Sequence, residues 1–386
     1  TKRPLEEAYK MYREDYEWLG YEPDEIRHSS KNFDTYVEYA EKLIDRDKAY
    51  VCTCSQEEGQ KYRKEGKACP HRDQEAQENR ELWEKMRSED GFSEGEATLK
   101  IKTDMEHKNP AIRDFIAFRI IEDPDHPITG NQYRVWPMLD FQGAIEDHLM
   151  GTTHIVRGKE LRASTKRQKF IYNYFDWDYP DIMYWGNVQV SGFDAPMSTS
   201  TIAEMVENGD LEDWDDPRCG TLRALRKRGF EPEAIQQFFI DMGVTENDIQ
   251  ASIESLVTEN TRLIDDETDR HYFVRNPVKV TIEGLPEDIE PELPLHPDHP
   301  DRGLRDVDVE IESGELQVFI EEEDLEDGFL RLKGLCNVEI DGETARYREG
   351  DHTEAMDRDA PIIHWLPLSS PEGEVRMPDG EGIEGL

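Results

Sequence analysis

The spacing of apolar residues changes character twice along this chain of 386 residues, and each change restricts the folds that are open to it. Up to about residue 200, amphipathic helical patterns alternate with short strand-like runs such as AYVCTC, ATLKIKT and THIVRG. Residues 218–265 carry helical patterns with cap and stop signals. From His271 onward, short alternating strands are separated by Gly, Pro and Asp turns. The pattern predicts an α/β region, a helical linker and a β-barrel.

The same periodicities predict individual elements. Helical spacing predicts helices over residues 5–19 and 33–46, and residues 55–98 are charged and helical in character. In the linker, ENDIQASIESLVTENTRL is predicted as a helix, and in the barrel DVDVEIE is predicted as a strand. Residues 136–161, WPMLDFQGAIEDHLMGTTHIVRGKEL, predict a strand, a helix and a second strand in an open parallel sheet.

The charge balance is strongly acidic, with 88 Asp and Glu against 46 Lys and Arg and a net charge of −42. Such a surface repels phosphate at long range, so charge alone points away from DNA and RNA. The alternative is adaptation to molar salt, where the Debye length falls to about 3 Å and self-repulsion is screened. In that setting the net charge says little about the partner. An aromatic content of 9% favours a folded chain over a disordered one.

Apolar runs fall short of the roughly 20 residues that a membrane span needs, and the opening TKRPLEEAYK resembles neither a signal peptide nor a transit peptide. We therefore expect a cytosolic protein without a membrane partner. Five cysteines in a chain of this size do not form a disulfide framework. Three of them lie in one short stretch beside a histidine, which suggests a metal.

Cys52, Cys54, Cys69 and His71 form two close pairs, C-x-C and C-x-H, separated by residues 55–68. Thiolates and imidazole suit a closed tetrahedral zinc site, although the one-residue gaps are tighter than the commonest finger spacing. The alternative is three reduced structural thiols and a surface histidine. We expect structural zinc, with all four coordination positions filled by protein.

Two further stretches could hold anions. Ligands gather outside the carboxyl ends of parallel strands, so Arg157, at the end of THIVRG, stands where its guanidinium can grip a carboxylate. An interdomain salt bridge of Arg157 is an alternative that the sequence pattern favours equally. Ser198, Thr199 and Ser200 come just before a predicted helix, where backbone and hydroxyl donors bind phosphates. By itself, such a loop is a common helix cap.

Seven motifs in a fixed order resemble the class I glutamyl-tRNA synthetases of archaea, in a salt-adapted form, over nearly the whole chain: HLMGTTHIVRGKEL, DYPDIMYWGNVQVSGFDAPMSTSTIAE, WDDPRCGTLRALRKRGF, RHYFVRNPVKV, ELPLHPDHPDRG, LRLKGLCNV and IIHWLPL. The resemblance implies an α/β plus β fold. It implies a Rossmann-type catalytic domain in two parts, residues 1–48 and 126–205, divided by an acceptor-stem insertion at 49–125 that carries the zinc site. A helical stem-contact domain at 206–270 and an anticodon-binding β-barrel at 271–386 would follow.

The resemblance also implies roles for individual residues. Arg157 matches the arginine that binds the side-chain carboxylate of glutamate, where glutaminyl enzymes have an uncharged residue. Leu139 stands where the family usually has a tyrosine lining the amino-acid pocket, and Glu160 belongs to the same substrate-binding stretch. Met197, with the three residues after it, matches the ATP-binding KMSKS loop, and Thr199 replaces the signature lysine. The basic candidates for tRNA binding are Arg223, Arg226, Lys227, Arg228, Arg331 and Lys333. For the four basic residues of the linker helix, a solvated face is the alternative.

The implied reaction is the ATP-dependent and Mg²⁺-dependent attachment of L-glutamate to tRNA(Glu) through glutamyl-adenylate, by a monomer. Neither step needs a protein nucleophile, so catalysis would rest on positioning and charge stabilisation, in which Ser198, Thr199 and Ser200 take part. Two rivals stay open: a glutaminyl-tRNA synthetase, which Arg157 disfavours, and a non-catalytic tRNA-binding paralogue. Whether tRNA(Gln) is also charged stays open too.

The ends of the chain carry one more expectation from the resemblance. Relatives have a strand, a HIGH motif and an acidic turn before the residues that match 1–4, and they continue beyond the final EGIEGL. We therefore expect this chain to be an incomplete piece that does not activate glutamate by itself.

Overall fold

The computed structural model describes residues 6–386, so residues 1–5, which include the start of the first predicted helix, lie outside the described part. The described chain forms two compact units. The first contains residues 6–189 with Asp241–Ala251, and the second contains Val190–Ile240 with Ser252–Leu386. The division into five domains is finer than these two units and stays a prediction. Within residues 6–386, none of the helices combines the length and the hydrophobicity that crossing a membrane requires.

The first unit alternates helices with short strands. Its elements are α1 (Glu6–Trp18), α2 (Phe33–Asp45), β1 (Ala49–Cys52), α3 (Gln56–Glu65), α4 (Ala76–Arg87), β2 (Thr98–Ile101), β3 (Phe115–Ile120), β4 (Val135–Pro137), α5 (Leu139–Leu149), β5 (His154–Gly158), α6 (Arg162–Tyr174), β6 (Asp181–Trp185) and β7 (Val188–Ser191). β7 contains the point at which the chain passes from the first unit to the second.

An antiparallel sheet in the order β1-β2-β3-β4 carries the core of the first unit. Helices α2 and α4 pack against β1, and α5 packs against β3, so all four residues of β1 are buried. In α2 the buried side chains recur at helical spacing and include Tyr36, Ala40 and Leu43. Each large apolar side chain buried in this way contributes roughly 1.5–3 kcal/mol. Trp83 of α4 and Phe118 of β3 complete the core, with ring centroids 5.1 Å apart.

The strands over residues 136–161 do not lie in one parallel sheet, which corrects the sequence prediction. Among the described residues, β4 pairs antiparallel with β3, whereas β5 pairs in parallel with β6 in a separate two-stranded sheet. β4 has only three residues and ends at Pro137, which lacks the N–H that would continue the ladder. Periodicity cannot reveal this difference, because the direction of pairing depends on partners far away in the sequence.

The second unit begins with helices and ends in strands. Its elements are α7 (Thr199–Asn208), α8 (Leu222–Lys227), α9 (Pro232–Met242), β8 (Ile249–Ser252), α10 (Ile253–Ile264), β9 (Pro277–Glu283), β10 (Glu315–Glu321), β11 (Gly328–Leu332), β12 (Cys336–Asp341), β13 (Thr344–Arg348), α11 (His352–Asp357), β14 (Ile362–Ile363), β15 (Leu366–Pro367), β16 (Gly373–Arg376) and β17 (Gly382–Gly385). The last residues of α9 and most of β8 belong to the first unit.

A mixed seven-stranded sheet in the order β14-β11-β12-β13-β9-β10-β15 forms the body of the second unit. β11 with β14, and β13 with β9, are parallel pairs, and the other neighbours are antiparallel. Its core includes the fully buried Ile282, Val318 and Val338. The predicted strand-rich C-terminal region is therefore confirmed, while closure of the sheet into a barrel stays a prediction.

Two predicted elements in this part of the chain are wrong. DVDVEIE is not a strand: residues 306–311 are irregular, and only Glu312 makes an isolated bridge, to Glu315. Its alternating Val307, Val309 and Ile311 pack on the sheet core. The period-2 pattern therefore reflects burial of one side of this segment, although the backbone of residues 306–311 pairs with no strand of the described chain.

The helix predicted over ENDIQASIESLVTENTRL begins later than its pattern indicates. Its first part is β8, which pairs with β7, and α10 starts only at Ile253. Pairing with a strand distant in sequence has overridden the local helical preference.

Candidate functional site

Four side chains of the first unit meet at one point, as the sequence predicted. The ligand atoms of Cys52, Cys54, Cys69 and His71 all lie within 4.8 Å of one another. Cys52 Sγ is 3.8 Å from Cys69 Sγ, while His71 Nδ1 is 3.9 Å from Cys52 Sγ and 3.4 Å from Cys54 Sγ. A tetrahedral zinc with bonds of about 2.3 Å to sulfur and about 2.0 Å to nitrogen separates its ligand atoms by about 3.5–3.8 Å. The donor set and its spacing therefore fit a closed zinc site.

Local sequence signals bring the two ligand pairs together. Cys52 ends β1 inside the sheet, and Ser55 then starts α3 with a capping box. α3 stops at Gly66, whose φ of 72° turns the chain back toward Cys69. A Cβ at position 66 would also lie 3.1 Å from the carbonyl oxygen of Met105. Glycine is therefore required there both by the left-handed backbone and by the close contact.

The surroundings orient the cluster and influence its protonation. His71 Nε2 lies 2.9 Å from Thr53 Oγ1, which leaves Nδ1 directed at the thiols. A hydrogen bond with Cys69, assisted by Lys100 and opposed by burial, lowers the pKa of Cys52 to about 7. The same bond, together with burial, raises the pKa of Cys69 to about 12. Lys100 Nζ lies 3.1 Å from Cys52 Sγ, where it would offset the net negative charge of three thiolates on one zinc ion.

Arg157 lies on β5 inside a polar cluster of the first unit, and its side chain is 12% exposed. Its Nη1 donates to Gln168 Oε1 at 2.9 Å, and its Nη2 lies 3.8 Å from an Asp147 carboxylate oxygen. Burial raises the pKa of Asp147, against the lowering effect of Arg157. A guanidinium has five N–H donors, and these contacts engage only part of them. Donors of the guanidinium therefore remain for a second carboxylate, and the loose pair with Asp147 lies within the first unit, so it is not the interdomain salt bridge named as the alternative.

Sequence reasoning missed the residues that hold Arg157. Gln168 of α6 is buried, and its Oε1 also accepts a hydrogen bond from Tyr179 at 2.7 Å. Tyr184, which stands opposite Arg157 in the β5–β6 register, donates to Thr165 Oγ1 at 2.9 Å. These residues come from α6, β6 and the segment between them, and no local motif around Arg157 indicates them. The sequence signal for them was Gln168 itself, a polar residue on the apolar, buried side of α6.

Two other residues predicted near the substrate lie at the surface of the first unit. Leu139 is the first residue of α5 and is 63% exposed. Glu160 is exposed in a short 3-10 turn directly after β5. Their assignment to substrate binding stays a prediction.

The loop before α7, in the second unit, forms a capped helix start. Ser198 caps the helix, because its Oγ accepts from Thr201 N at 3.4 Å and from Thr201 Oγ1 at 3.0 Å. Thr199 and Ser200 are the first two helical residues and are exposed, and their backbone N–H groups precede the intrahelical ladder. Met197 is 56% exposed beside them. The arrangement agrees with the predicted loop and helix, and it directs free donors outward.

A buried carboxylate stabilises the segment that follows α7. Asp216 is fully buried, and its two oxygens accept from Arg218 Nε at 2.9 Å and Nη2 at 2.8 Å. It also accepts from the backbone N–H groups of Arg218 and Glu212, both at 3.1 Å. The hydrogen bonds from the Arg218 side chain, ahead of the opposing effect of burial, hold the pKa of Asp216 well below its usual range.

Replacing Asp216 with asparagine should lower the free energy of unfolding by about 2 kcal/mol at neutral pH, because Arg218 loses its charged partner. The folded pKa of Asp216 is depressed, so its contribution is present above the unfolded value of about 4 and is lost as the pH falls below it. Denaturant unfolding at constant KCl and several pH values is the measurement, with the exposed Asp308→Asn as control. A difference from wild type that stays constant down to acidic pH would contradict the assignment.

The basic candidates for RNA binding occupy different settings in the second unit. In α8, Lys227 pairs with Asp215 at 3.0 Å. Arg226 is exposed, whereas Arg223 and the following Arg228 are half-buried. In β11, Arg331 donates to the buried Asn337 at 2.9 Å. After that strand, Lys333 lies over the Tyr272 ring, 5.3 Å from its centroid. Their role in binding tRNA stays a prediction.

Comparisons with known proteins agree along the whole chain. Residues 1–266 match the catalytic domain of class I tRNA synthetases (E and Q), and residues 268–357 match the anticodon-binding domain of the same class. A glutamate–tRNA ligase of Archaeoglobus fulgidus is 48% identical over 96% of this chain and 65% of its own length. One of Methanosarcina mazei is 43% identical over 99% of this chain and 68% of its length, and one of Haloarcula marismortui is 43% identical over 99% and 66%.

The chain thus spans about two thirds of the length of the curated relatives it matches. A solved glutamate tRNA ligase of Elizabethkingia meningosepticum is 19% identical, with a TM-score of 0.45 over 68% of this chain and 61% of that one, a similarity too distant to add to the sequence matches. The two matches to consecutive domains of one class, together with near-complete coverage at up to 48% identity, establish that the chain belongs to the class I tRNA synthetases of the E and Q family.

Proposed function

We propose that the protein containing this chain is a glutamate–tRNA ligase, which activates L-glutamate with ATP and transfers the glutamyl group to tRNA. The observation that carries the proposal is similarity at 43–48% identity, over nearly the whole chain, to proteins named glutamate–tRNA ligase. The largely buried side chain of Arg157 supports the choice of amino acid. A guanidinium in a polar, largely desolvated setting matches a carboxylate, and glutamine has none to offer.

The residues of this chain would take two roles in that reaction. Arg157, held by Gln168, would fix the side-chain carboxylate of glutamate. The first N–H groups of α7 and the hydroxyls of Ser198, Thr199 and Ser200 would receive phosphate oxygens of ATP, since a helix N-terminus favours negative charge. Because the lysine typical of this loop is replaced by Thr199, these neutral donors would carry more of the charge stabilisation. Positioning, without a covalent protein intermediate, would supply the rate.

The proposal includes the finer features expected from the sequence. Mg²⁺ would accompany ATP, and one zinc ion would occupy the Cys/His cluster with a structural role. The partner would be tRNA(Glu), read in part by the anticodon-binding domain at residues 268–357. The protein would act in the cytosol as a monomer, and charging of tRNA(Gln) is a separate outcome of the test below.

The test is aminoacylation by the full-length gene product in concentrated KCl, with labelled glutamate or glutamine and purified tRNA(Glu) or tRNA(Gln). We expect glutamate on tRNA(Glu), with discrimination against glutamine by roughly 10⁴, because glutamine would leave the Arg157 guanidinium unpaired. Charging with glutamine instead would identify a glutaminyl enzyme. Binding of tRNA without any charging would identify a non-catalytic relative.

A further inference from the structure

A cavity of about 400 Å³ in the second unit has a lining whose charge is opposite to that of the chain as a whole. Acidic residues outnumber basic ones by 88 to 46 in this chain. Around this cavity, the described lining residues include no carboxylate and three cations: Lys227, Arg228 and Arg376. The remaining wall is partly apolar, with Phe230 and Val257. Three cations along one recess favour an anion there, although Lys227 and Arg376 are also paired with carboxylates outside the lining.

Arg228 is the member of the set without a carboxylate partner among the described residues. Its guanidinium lies near the rings of Phe193 and Phe230, 5.9 and 5.8 Å from their centroids, and donates to the carbonyl oxygen of Pro217 at 3.5 Å. Burial lowers the pKa of Arg228, and Asp194 opposes that effect from beyond ion-pair distance. A partly desolvated guanidinium with unused donors gains more from an anionic ligand than a solvated one does.

Two contacts from α10 fix the backbone that directly follows Arg228. Asn260 Oδ1 accepts from the backbone N–H of Glu231 at 2.7 Å, and Asn260 Nδ2 donates to the carbonyl oxygen of Gly229 at 3.1 Å. Asn260 thereby clamps the turn that directly follows Arg228. The hydroxyl of the adjacent Thr261 is an exposed additional donor on the same wall.

The other two cations of the lining are each paired with a carboxylate of the segment 212–215. Lys227 pairs with Asp215 at 3.0 Å, and Arg376 pairs with Glu212 at 2.6 Å, and neither acid belongs to the lining. These are exposed ion pairs, which are weak and can yield to a stronger anion. Arg376 comes from the β16–β17 hairpin, beyond residues 268–357 that match the anticodon-binding domain. No motif found in the sequence pointed to it.

We propose that this cavity is a phosphate site that binds one backbone phosphodiester of the RNA partner, with Arg228 as its central ligand and Arg376 and Lys227 at its rim. This inference rests on the proposed function. Arginine presents paired N–H donors that match two phosphate oxygens, and the apolar wall of Phe230 and Val257 suits the attached ribose. The site would give this acidic protein a local point of attachment to the RNA backbone, despite the repulsion between its net negative charge and phosphate.

The test is binding of fluorescently labelled tRNA(Glu) to the full-length gene product across the KCl range in which circular dichroism shows a folded protein. Arg228→Gln and Arg376→Gln are the variants. Arg358→Gln is the control outside the cavity. Like Arg376, Arg358 is paired with a carboxylate, that of Glu354, and like Arg228 it lies near an aromatic ring, that of Phe329. We expect Arg228→Gln to weaken binding about tenfold and to reduce the slope of log Kd against log[KCl] by about one phosphate contact. Arg376→Gln should show a smaller change in the same direction, and Arg358→Gln should match wild type.

Three outcomes overturn the inference, each for a different reason. If wild type neither charges nor binds tRNA, the proposed function fails and the inference with it. If wild type binds and Arg228→Gln equals Arg358→Gln in affinity and slope, the cavity does not hold RNA. Calorimetric titration with inorganic pyrophosphate alone tests the alternative that the cavity binds a free phosphate anion and not the RNA backbone. Binding of pyrophosphate that is lost in Arg228→Gln, with RNA affinity unchanged, would assign the cavity to a free anion.

Discussion

Replacing Arg157 with alanine in the full-length gene product should lower kcat/KM for glutamate by about 10² or more. Loss of one partner from a buried charge pair costs about 2–5 kcal/mol, and here the substrate carboxylate would be left facing Asp147. Selectivity over glutamine should fall with it, since the variant has no charge left to distinguish the two side chains. The measurement is glutamate-dependent and glutamine-dependent pyrophosphate exchange in concentrated KCl.

Arg162→Ala is the control for this prediction. Arg162 lies on the neighbouring α6, pairs with Glu246 and stacks over Tyr184 at 4.4 Å, but its side chain is 49% exposed. We expect it to remain within about twofold of wild type, as exposed ion pairs contribute little. Equal activity in Arg157→Ala and wild type would show that the carboxylate of the substrate binds elsewhere.

Removal of zinc should have the largest effect on stability. The protein purified without chelator should contain about one zinc per chain, and Cys69→Ser should reduce this to under a tenth of an equivalent. Because a structural metal site does not exist in the unfolded chain, its binding free energy adds to folding, and we expect residues 52–71 to lose their order in the variant. Elemental analysis and amide hydrogen exchange of this segment are the measurements.

Cys219→Ala separates loss of a ligand from loss of a buried thiol. Cys219 is fully buried in a different hydrophobic cluster of the second unit, so its replacement should destabilise that unit and leave the zinc content unchanged. A wild-type protein that holds less than about a tenth of an equivalent of zinc would sink the metal assignment, and the four side chains would then be a reduced thiol cluster.

The meeting of the three cysteines with His71 was predictable because its information is local. Both ligand pairs are one residue apart in the sequence, and the capping box at Ser55 and the left-handed Gly66 are encoded within the same stretch. The cap at Ser198 before α7 was predictable for the same reason. The surroundings of Arg157 were not, because Gln168, Tyr179 and Asp147 come from other elements.

The sequence by itself determined the broad order of elements, the four candidate zinc ligands, the helix start after Ser198 and the class of enzyme that the chain resembles. Each of these depends on residues a few positions apart or on motifs in a fixed order. Tertiary structure alone decided the antiparallel pairing of β4, the extended conformation of β8, the irregular path of residues 306–311 and the presence of Arg228 and Arg376 in the lining of one cavity. These outcomes depend on strand pairing and packing between distant segments, whose free energies exceed local preference and leave no periodic signal in the sequence.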